Sequence, residues 1–250
     1  MEQLLRRAGD HLLGLRGRET FGPEIDRDID SLKTLADQEI HDLLIAGLAE
    51  IDRAIPVISE EDAGHKEVRP RRYFLIDPVD GTASFAKGFD GFVTQAALME
   101  DDQPVLAAIV APVFAQVFTA ERGRGSWLNG ERLSVWQGGD RLILTDNYPE
   151  PRGTASIMMQ ALDATGYLES GSIALKICRV ADASADIFFK DVIVRDWDVA
   201  PAHLILDEAG GTVWLPDGRP YAYTGDYVKP GVIAARDADL ARRTFEALSA

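Results

Sequence analysis

The apolar run Tyr73-Phe74-Leu75-Ile76 leads straight into Asp77-Pro78-Val79-Asp80-Gly81-Thr82, and no other junction constrains the chain as much. The run reads as a short buried strand. In a continuing strand residues 77 and 80 would face opposite sides, because side chains alternate. Pro78 cannot donate to a ladder and Gly81 permits a tight bend, so the strand is expected to end here. Across such a bend both carboxylates converge on one point. Gly81-Thr82-Ala83-Ser84-Phe85 then opens a helix, with free backbone N–H groups and the positive end of its dipole. One segment thus offers oxygen ligands for a hard cation beside an anion-binding helix start. Two carboxylates ~4 Å apart repel by roughly 4 kcal/mol at an effective dielectric of about 20, so the cluster calls for something positive. The plainer reading is a solvated turn, since Asp and Gly are good turn formers.

Composition limits the partners. The chain has 250 residues, 46% hydrophobic and 27% charged, which suits one large α/β domain or two tightly joined subdomains. Its 41 acidic and 26 basic residues leave a net charge of −15, which disfavours nucleic acid and membrane surfaces as partners. Cys178 is the one cysteine, so no intrachain disulfide can form, and its apolar neighbours favour an inert thiol. The first residues carry charges throughout and lack the apolar core of a secretory signal. The longest apolar stretch, residues 105–118, is too short to span a bilayer and is broken by Pro112 and Gln116. A cytoplasmic protein is expected.

Helical spacing is seen over residues 2–15 and about 35–54, and short strands over 56–59 and 73–77, with a polar loop between those strands. Residues 92–100, 104–113 and 115–121 read as strands, followed by a hairpin at Asn129-Gly130. A second section starts at 141–145. It continues with helices near 153–163 and 172–183, a strand at 185–189, a helix from about 198 to 209, a strand at 212–215 and a closing helix at 237–248. Strands first and alternation later imply an α/β (α+β) protein of two αβ subdomains, residues 1–140 and 141–250.

Two further acidic groups share the context of the first. Glu60 and Glu61 follow a short apolar strand, and Asp198 sits where a helix begins. Pro201 is tolerated in a first helical turn, so the helix is expected to start near Asp198 with that residue as N-cap. An ordinary cap and a polar loop are the plainer readings of these acids. All-oxygen ligands point to Mg²⁺ or Mn²⁺ rather than zinc. The histidines at 11, 41, 65 and 203 show no ligand spacing.

Ser59-Glu60-Glu61-Asp62, Ile76-Asp77-Pro78-Val79-Asp80-Gly81-Thr82-Ala83-Ser84-Phe85 and the segment from Arg195 to Gly211 resemble the inositol monophosphatase superfamily of Mg²⁺-dependent, lithium-sensitive phosphatases. Residues 33–37 and 171–189 add weaker likeness. The resemblance implies a layered αβαβα sandwich, often dimeric, that binds two to three Mg²⁺ ions. Glu60, Asp77 and the Val79 carbonyl would hold the first ion, and Asp77, Asp80 and Asp198 the second. A third would touch Glu60 through water. Thr82 and Asp37 would orient and help deprotonate the attacking water, so Glu60, Thr82 and Asp37 form the implied catalytic set. Backbone amides of Gly81 and Thr82 would cradle the phosphate.

The chain departs from the family pattern at Leu32-Lys33, where a small or apolar pair is usual, which touches the third site most. For the substrate, the Ser59 block, Gly171-Ser172 and Lys190 lean towards the 3′(2′),5′-bisphosphate nucleotidase branch, with Lys190 near the second phosphate. Asp191 instead falls where inositol phosphatases bind sugar hydroxyls. Inositol 1-phosphate, histidinol phosphate and fructose bisphosphate are the alternative small phosphorylated metabolites. Lys176, Lys190 and Arg195 are candidates for a local basic pocket, with Lys176, Lys190 and Asp191 as substrate contacts. Some relatives act as protein or RNA-polymerase partners. That role would predict a damaged ligand set or a basic stripe, and only Arg69-Pro70-Arg71-Arg72 stands out as a basic cluster.

Overall fold

A computed structural model describes residues 1–16, 29–62, 69–138 and 140–249, the side chains of 29–34 excepted. The expectations for Lys33 and His65 therefore lie outside the described residues. Helices α1 (Glu2–Arg16) and α2 (Ile29–Ile51) open the chain. Leu4, Leu5, Ala8, Leu12 and Leu15 of α1 are buried at the spacing that stacks side chains on one helix face. α2 starts at Ile29, ahead of the expected residue 35.

The first sheet takes β1 (Val57–Ser59), β2 (Arg72–Asp80), β3 (Val93–Glu100), β4 (Gln103–Ala111), β5 (Gln116–Glu121), β6 (Gly125–Leu128) and β7 (Glu131–Arg132) in chain order. β1 pairs parallel to β2 and the other neighbours are antiparallel. The β6–β7 turn has Asn129 at φ 51° and Gly130 at φ 86°, the positive pair that a tight hairpin turn of this hand needs. Helix α3 (Thr82–Ala86) lies between β2 and β3.

The rest of the chain runs β8 (Ile143–Asp146), α4 (Thr154–Ala161), β9 (Gly166–Glu169), α5 (Ile173–Ala181), β10 (Ile187–Lys190), β11 (Val194–Arg195) and α6 (Asp196–Ala209). It ends with β12 (Thr212–Trp214), β13 (Val228–Lys229), β14 (Val232–Ala235) and α7 (Ala238–Leu248). The second sheet has the order β12-β14-β10-β8-β9, and β11 pairs with β13. Strands β9, β11, β13 and β14 are additions to the sequence reading. Two to four residues are too few to show a period of two.

Alternation along the strands builds the layers. Phe74 and Ile76 pack with α1 and α2, while Tyr73 and Leu75 face α5 and α6. Phe188, Val232 and Ala234 reach the same α5–α6 layer from the second sheet. Ile187, Phe189, Ile233 and Ala235 pack outward on α4 and α7. The result is an αβαβα sandwich with α5 and α6 as its middle layer.

Two local expectations need correction. β2 does not stop at Pro78 but runs to Asp80 through an irregularity: Asp77 pairs with Gln95 and Asp80 with Val93. Three steps on β2 thus oppose two on β3, the extra residue of a β-bulge. Pro78 falls where no ladder donor is needed, and the slipped parity turns Asp77 and Asp80 to the same side. Likewise α6 begins at Asp196 rather than at Asp198, and Pro201 lies inside it. Asp198 sits in its first turn and accepts a 2.8 Å bond from the Arg195 N–H, so it caps the helix from within.

Candidate metal centre and active site

β1 and β2 bring the first two acidic side chains of the cluster side by side. The Glu60 N–H donates to the Ile76 carbonyl at 3.3 Å, which extends the parallel ladder one residue past β1. The turn behind it is tied by the Ser59 N–H to Asp62 Oδ2 at 3.0 Å and by His41 Nδ1 against Ser59 Oγ at 2.9 Å. Glu61 is exposed, whereas Glu60 is half-buried and hydrogen-bonded to Asp77. Asp77 is 1% exposed, and its Oδ1 accepts from the Val79 N–H at 3.0 Å. The first turn of α6 brings Asp198 across from the other half of the chain. One carboxylate oxygen each from Glu60, Asp77 and Asp198 lies within 4.8 Å of the others.

Asp80 stands in the same field but is engaged on its other side. Its Oδ2 accepts from the Ala174 N–H at 2.8 Å, at the head of α5, where the Ser172 hydroxyl caps the helix by accepting from Leu175 N–H at 3.1 Å. The Ser172 hydroxyl and the Ile173 N–H also hydrogen-bond to this carboxylate. The sequence reading missed this link, although Gly171-Ser172 ahead of an apolar helix is a readable N-cap signal.

Crowding shows in the protonation equilibria. Burial, then the charges of Glu60, Asp80 and Asp198, pushes the Asp77 carboxyl well above its usual range. Burial and Asp80 do the same to Asp198. Glu60 is raised by burial and by Asp80 and Glu61. Asp80 is raised by burial, against the pull of the Ala174 N–H and Lys176. Buried anions with no cation among them take up protons instead. A hard divalent cation fits this donor set and would reverse each of those shifts.

Beside the cluster, Gly81 adopts φ 88° and heads α3. The Thr82 hydroxyl donates to the Val79 carbonyl at 2.9 Å. Asp37 is 6% exposed on α2, which packs against α3. The loops facing Gly81 meet at Gly91 and Gly171, where the Ser172 N–H donates to the Gly91 carbonyl at 2.6 Å. A Cβ on Gly171 would lie 2.0 Å from that carbonyl oxygen, so the contact requires glycine.

The expected basic pocket divides. Lys190 is half-buried at the end of β10, and Arg195 is exposed next to Asp198, where its charge draws Glu60 and Asp198 downward. Asp191 is exposed and accepts from the Thr154 hydroxyl at 3.0 Å. Lys176 is 1% exposed: it donates to the Gly171 carbonyl at 2.6 Å and to Asn147 Oδ1, with Phe188 beneath it. Burial, then repulsion by Lys190, lowers its pKa to about 7. Lys176 therefore holds the loop before α5 rather than presenting a free ammonium. Cys178 is fully buried with its thiol pushed well up by burial, an inert group as expected.

The model of the inositol monophosphatase family matches residues 2–250. The chain belongs to the inositol monophosphatase family. It is a phosphatase of a metal-dependent kind. It is 29% identical over 240 residues to the 3′(2′),5′-bisphosphate nucleotidase CysQ of Escherichia coli (strain K12), covering 92% of this chain and 95% of that one. To inositol monophosphatase 1 of Mus musculus it is 28% identical over 257 residues, 96% of this chain and 89% of the other. The crystal structure of extragenic suppressor protein suhB from Bartonella henselae superposes with a TM-score of 0.81 at 25% identity, covering 99% and 97% of the two chains. Among the described residues, no helix is long and apolar enough to cross a membrane.

Proposed function

We propose that the protein hydrolyses a 3′(2′),5′-bisphosphate nucleotide, adenosine 3′,5′-bisphosphate to AMP and phosphate, with two to three Mg²⁺ ions held by Glu60, Asp77, Asp80, Asp198 and the Val79 carbonyl. The convergence of Glu60, Asp77 and Asp198 carries the reading. Bound Mg²⁺ supplies Lewis acidity towards water and the phosphoryl oxygens, and Mn²⁺ would serve in its place. The chain does the rest. The Thr82 hydroxyl, released from the Val79 carbonyl to which it donates, turns to Asp37 and orients the attacking water; it takes up the water's proton as it gives its own to the Asp37 carboxylate. Backbone N–H groups of Gly81 and Thr82 hold the phosphate that is cleaved. Residues 1–140 carry this machinery, and residues 141–250 supply Asp198 and the substrate contacts.

The likeness to CysQ over nearly the whole chain and the position of Lys190 at the end of β10 support the nucleotide. Lys190 meets the second phosphate, and Arg195 offsets the net charge of −15 locally. Lys176 shapes this pocket through the Gly171 carbonyl. Exposed Asp191 favours a second reading, inositol 1-phosphate, since a carboxylate accepts from sugar hydroxyls and repels a phosphate. Phosphate release from adenosine 3′,5′-bisphosphate, inositol 1-phosphate and fructose 1,6-bisphosphate should be compared with Mg²⁺ and with EDTA. The nucleotide is expected to be fastest and EDTA to stop all three. A preference for inositol 1-phosphate overturns the substrate, hydrolysis untouched by EDTA overturns the metal, and no hydrolysis at all favours a partner role.

A further inference from the structure

The basic cluster at residues 69–72 finds a use that its sequence did not announce. Asp198 is the one ligand that comes from the second half of the chain, so its place relative to Asp77 and Asp80 depends on how the first turn of α6 is held. Asp196, at the start of that turn, is completely buried, and the Arg69 side chain that pairs with it is 6% exposed. Arg69 Nη2 donates to Asp196 Oδ2 and, at 3.0 Å, to the Asp226 carbonyl. Its Nε donates to the Gly225 carbonyl at 3.1 Å and its Nη1 to the Tyr73 hydroxyl, on β2, at 3.0 Å. The guanidinium lies 3.9 Å over the Tyr227 ring. Asp196 is completed by the Tyr221 hydroxyl at 3.0 Å and by Lys229 at 3.8 Å, and its own N–H donates to the Tyr227 carbonyl at 2.9 Å. A buried ion pair is costly to desolvate and seldom stabilises a fold better than apolar packing would. Here the partners of Arg69 join β2, the segment 225–227 that leads into β13, and α6.

We propose that Arg69 and Asp196 form a positioning clamp that fixes the first turn of α6, and with it Asp198, against the strand that bears Asp77 and Asp80. Only a planar fork reaches all four acceptors at once, so lysine cannot replace it. The inference rests on the ligand set proposed above, and it concerns metal affinity rather than chemistry. Groups that orient ligands typically change metal affinity by about 10- to 100-fold when removed.

The test is Mn²⁺ binding to the full chain, read from the electron paramagnetic resonance of the free ion, with thermal unfolding measured beside it. Arg69→Met and Asp196→Asn should weaken Mn²⁺ binding by about 10-fold or more, and Arg69→Lys should fold and fall between them and wild type. Arg236→Met is the stability control. It removes a different buried pair, Arg236 with Asp186 at 3.0 Å, and should lower Tm with Mn²⁺ affinity unchanged. Should Arg69→Met fail to fold, Arg69→Lys and Asp196→Asn decide the matter. Wild-type affinity in both overturns the clamp alone, as does an equal loss in Arg236→Met. A wild-type chain that binds no Mn²⁺ overturns the ligand set, and the clamp with it.

Discussion

Replacing Asp77 by Asn should make the metal-free protein more stable than wild type and the magnesium-loaded protein less stable. Asp77 is 1% exposed and shares its surroundings with three other carboxyls. At 4.8 Å, within which one oxygen each of Glu60, Asp77 and Asp198 lie of one another, two full charges repel by about 3.5 kcal/mol at an effective dielectric of ~20. Proton uptake relieves part of this, so a gain of about 1–3 kcal/mol is expected, or roughly 2–10 °C in Tm for a chain of this size. Asn keeps the shape, still accepts from the Val79 N–H, and can donate to Glu60.

The sign with pH follows from linkage. A carboxyl whose folded pKa is raised binds more protons in the native state than in the unfolded chain, so its cost grows as pH rises above the usual carboxylate value. The stability gap in EDTA should therefore widen as the pH rises above the usual carboxylate range. With Mg²⁺ at a hundred times its Kd, wild type gains about 2.7 kcal/mol and the variant far less, which reverses the order. Thermal unfolding in EDTA and across a Mg²⁺ titration reads both effects. A variant that is less stable than wild type in EDTA, or that gains as much from Mg²⁺, refutes the reasoning.

Other consequences are equally direct. Asp80→Asn retains an acceptor for the Ala174 N–H but loses a charge. It should lower kcat/KM at least ~100-fold, and a rate within twofold of wild type removes Asp80 from the ligand set. Lys176, with its pKa lowered to about 7, carries a penalty that is full below that pH and is relieved towards the unfolded value near 10.5. Wild type should therefore gain stability relative to Lys176→Met between pH 7 and 10, by up to about 1.4 kcal/mol per pH unit, and a flat difference in denaturant titrations would contradict this. Gly171→Ala puts a methyl group 2.0 Å from the Gly91 carbonyl oxygen and 2.2 Å from its Cα, neither of which can swing aside. A loss of about 1–3 kcal/mol or more is expected, and a Tm unchanged to within about 1 °C would show that the loops separate freely.

Much of the fold was legible because its signals are local. Leu4, Leu5, Ala8, Leu12 and Leu15 predict α1 from spacing, Asn129-Gly130 predicts the β6–β7 turn from its need for positive φ, and the 73–76 run predicts a buried strand. The same local logic misplaced two boundaries. Pro78 argued for the end of β2, yet a bulge absorbs it. Pro201 argued for a helix starting at Asp198, yet α6 carries the proline internally. A residue that breaks a regular pattern announces an irregularity but does not say which one.

By itself the sequence determined the chemistry on offer: acidic side chains at the ends of short apolar segments, a glycine and a threonine at a helix head, and no thiol or histidine pattern to compete with them. Only the tertiary structure decided how these are used. It turned Asp77 and Asp80 to one side, gave one oxygen of Asp80 to α5, closed Lys176 under a loop, and set Arg69 on Asp196. The division is physical. Backbone preferences act over a few residues and leave a period or a turn residue behind, whereas charge pairing and close packing join groups a hundred or more positions apart, as with Arg69 and Asp196, and leave no local mark.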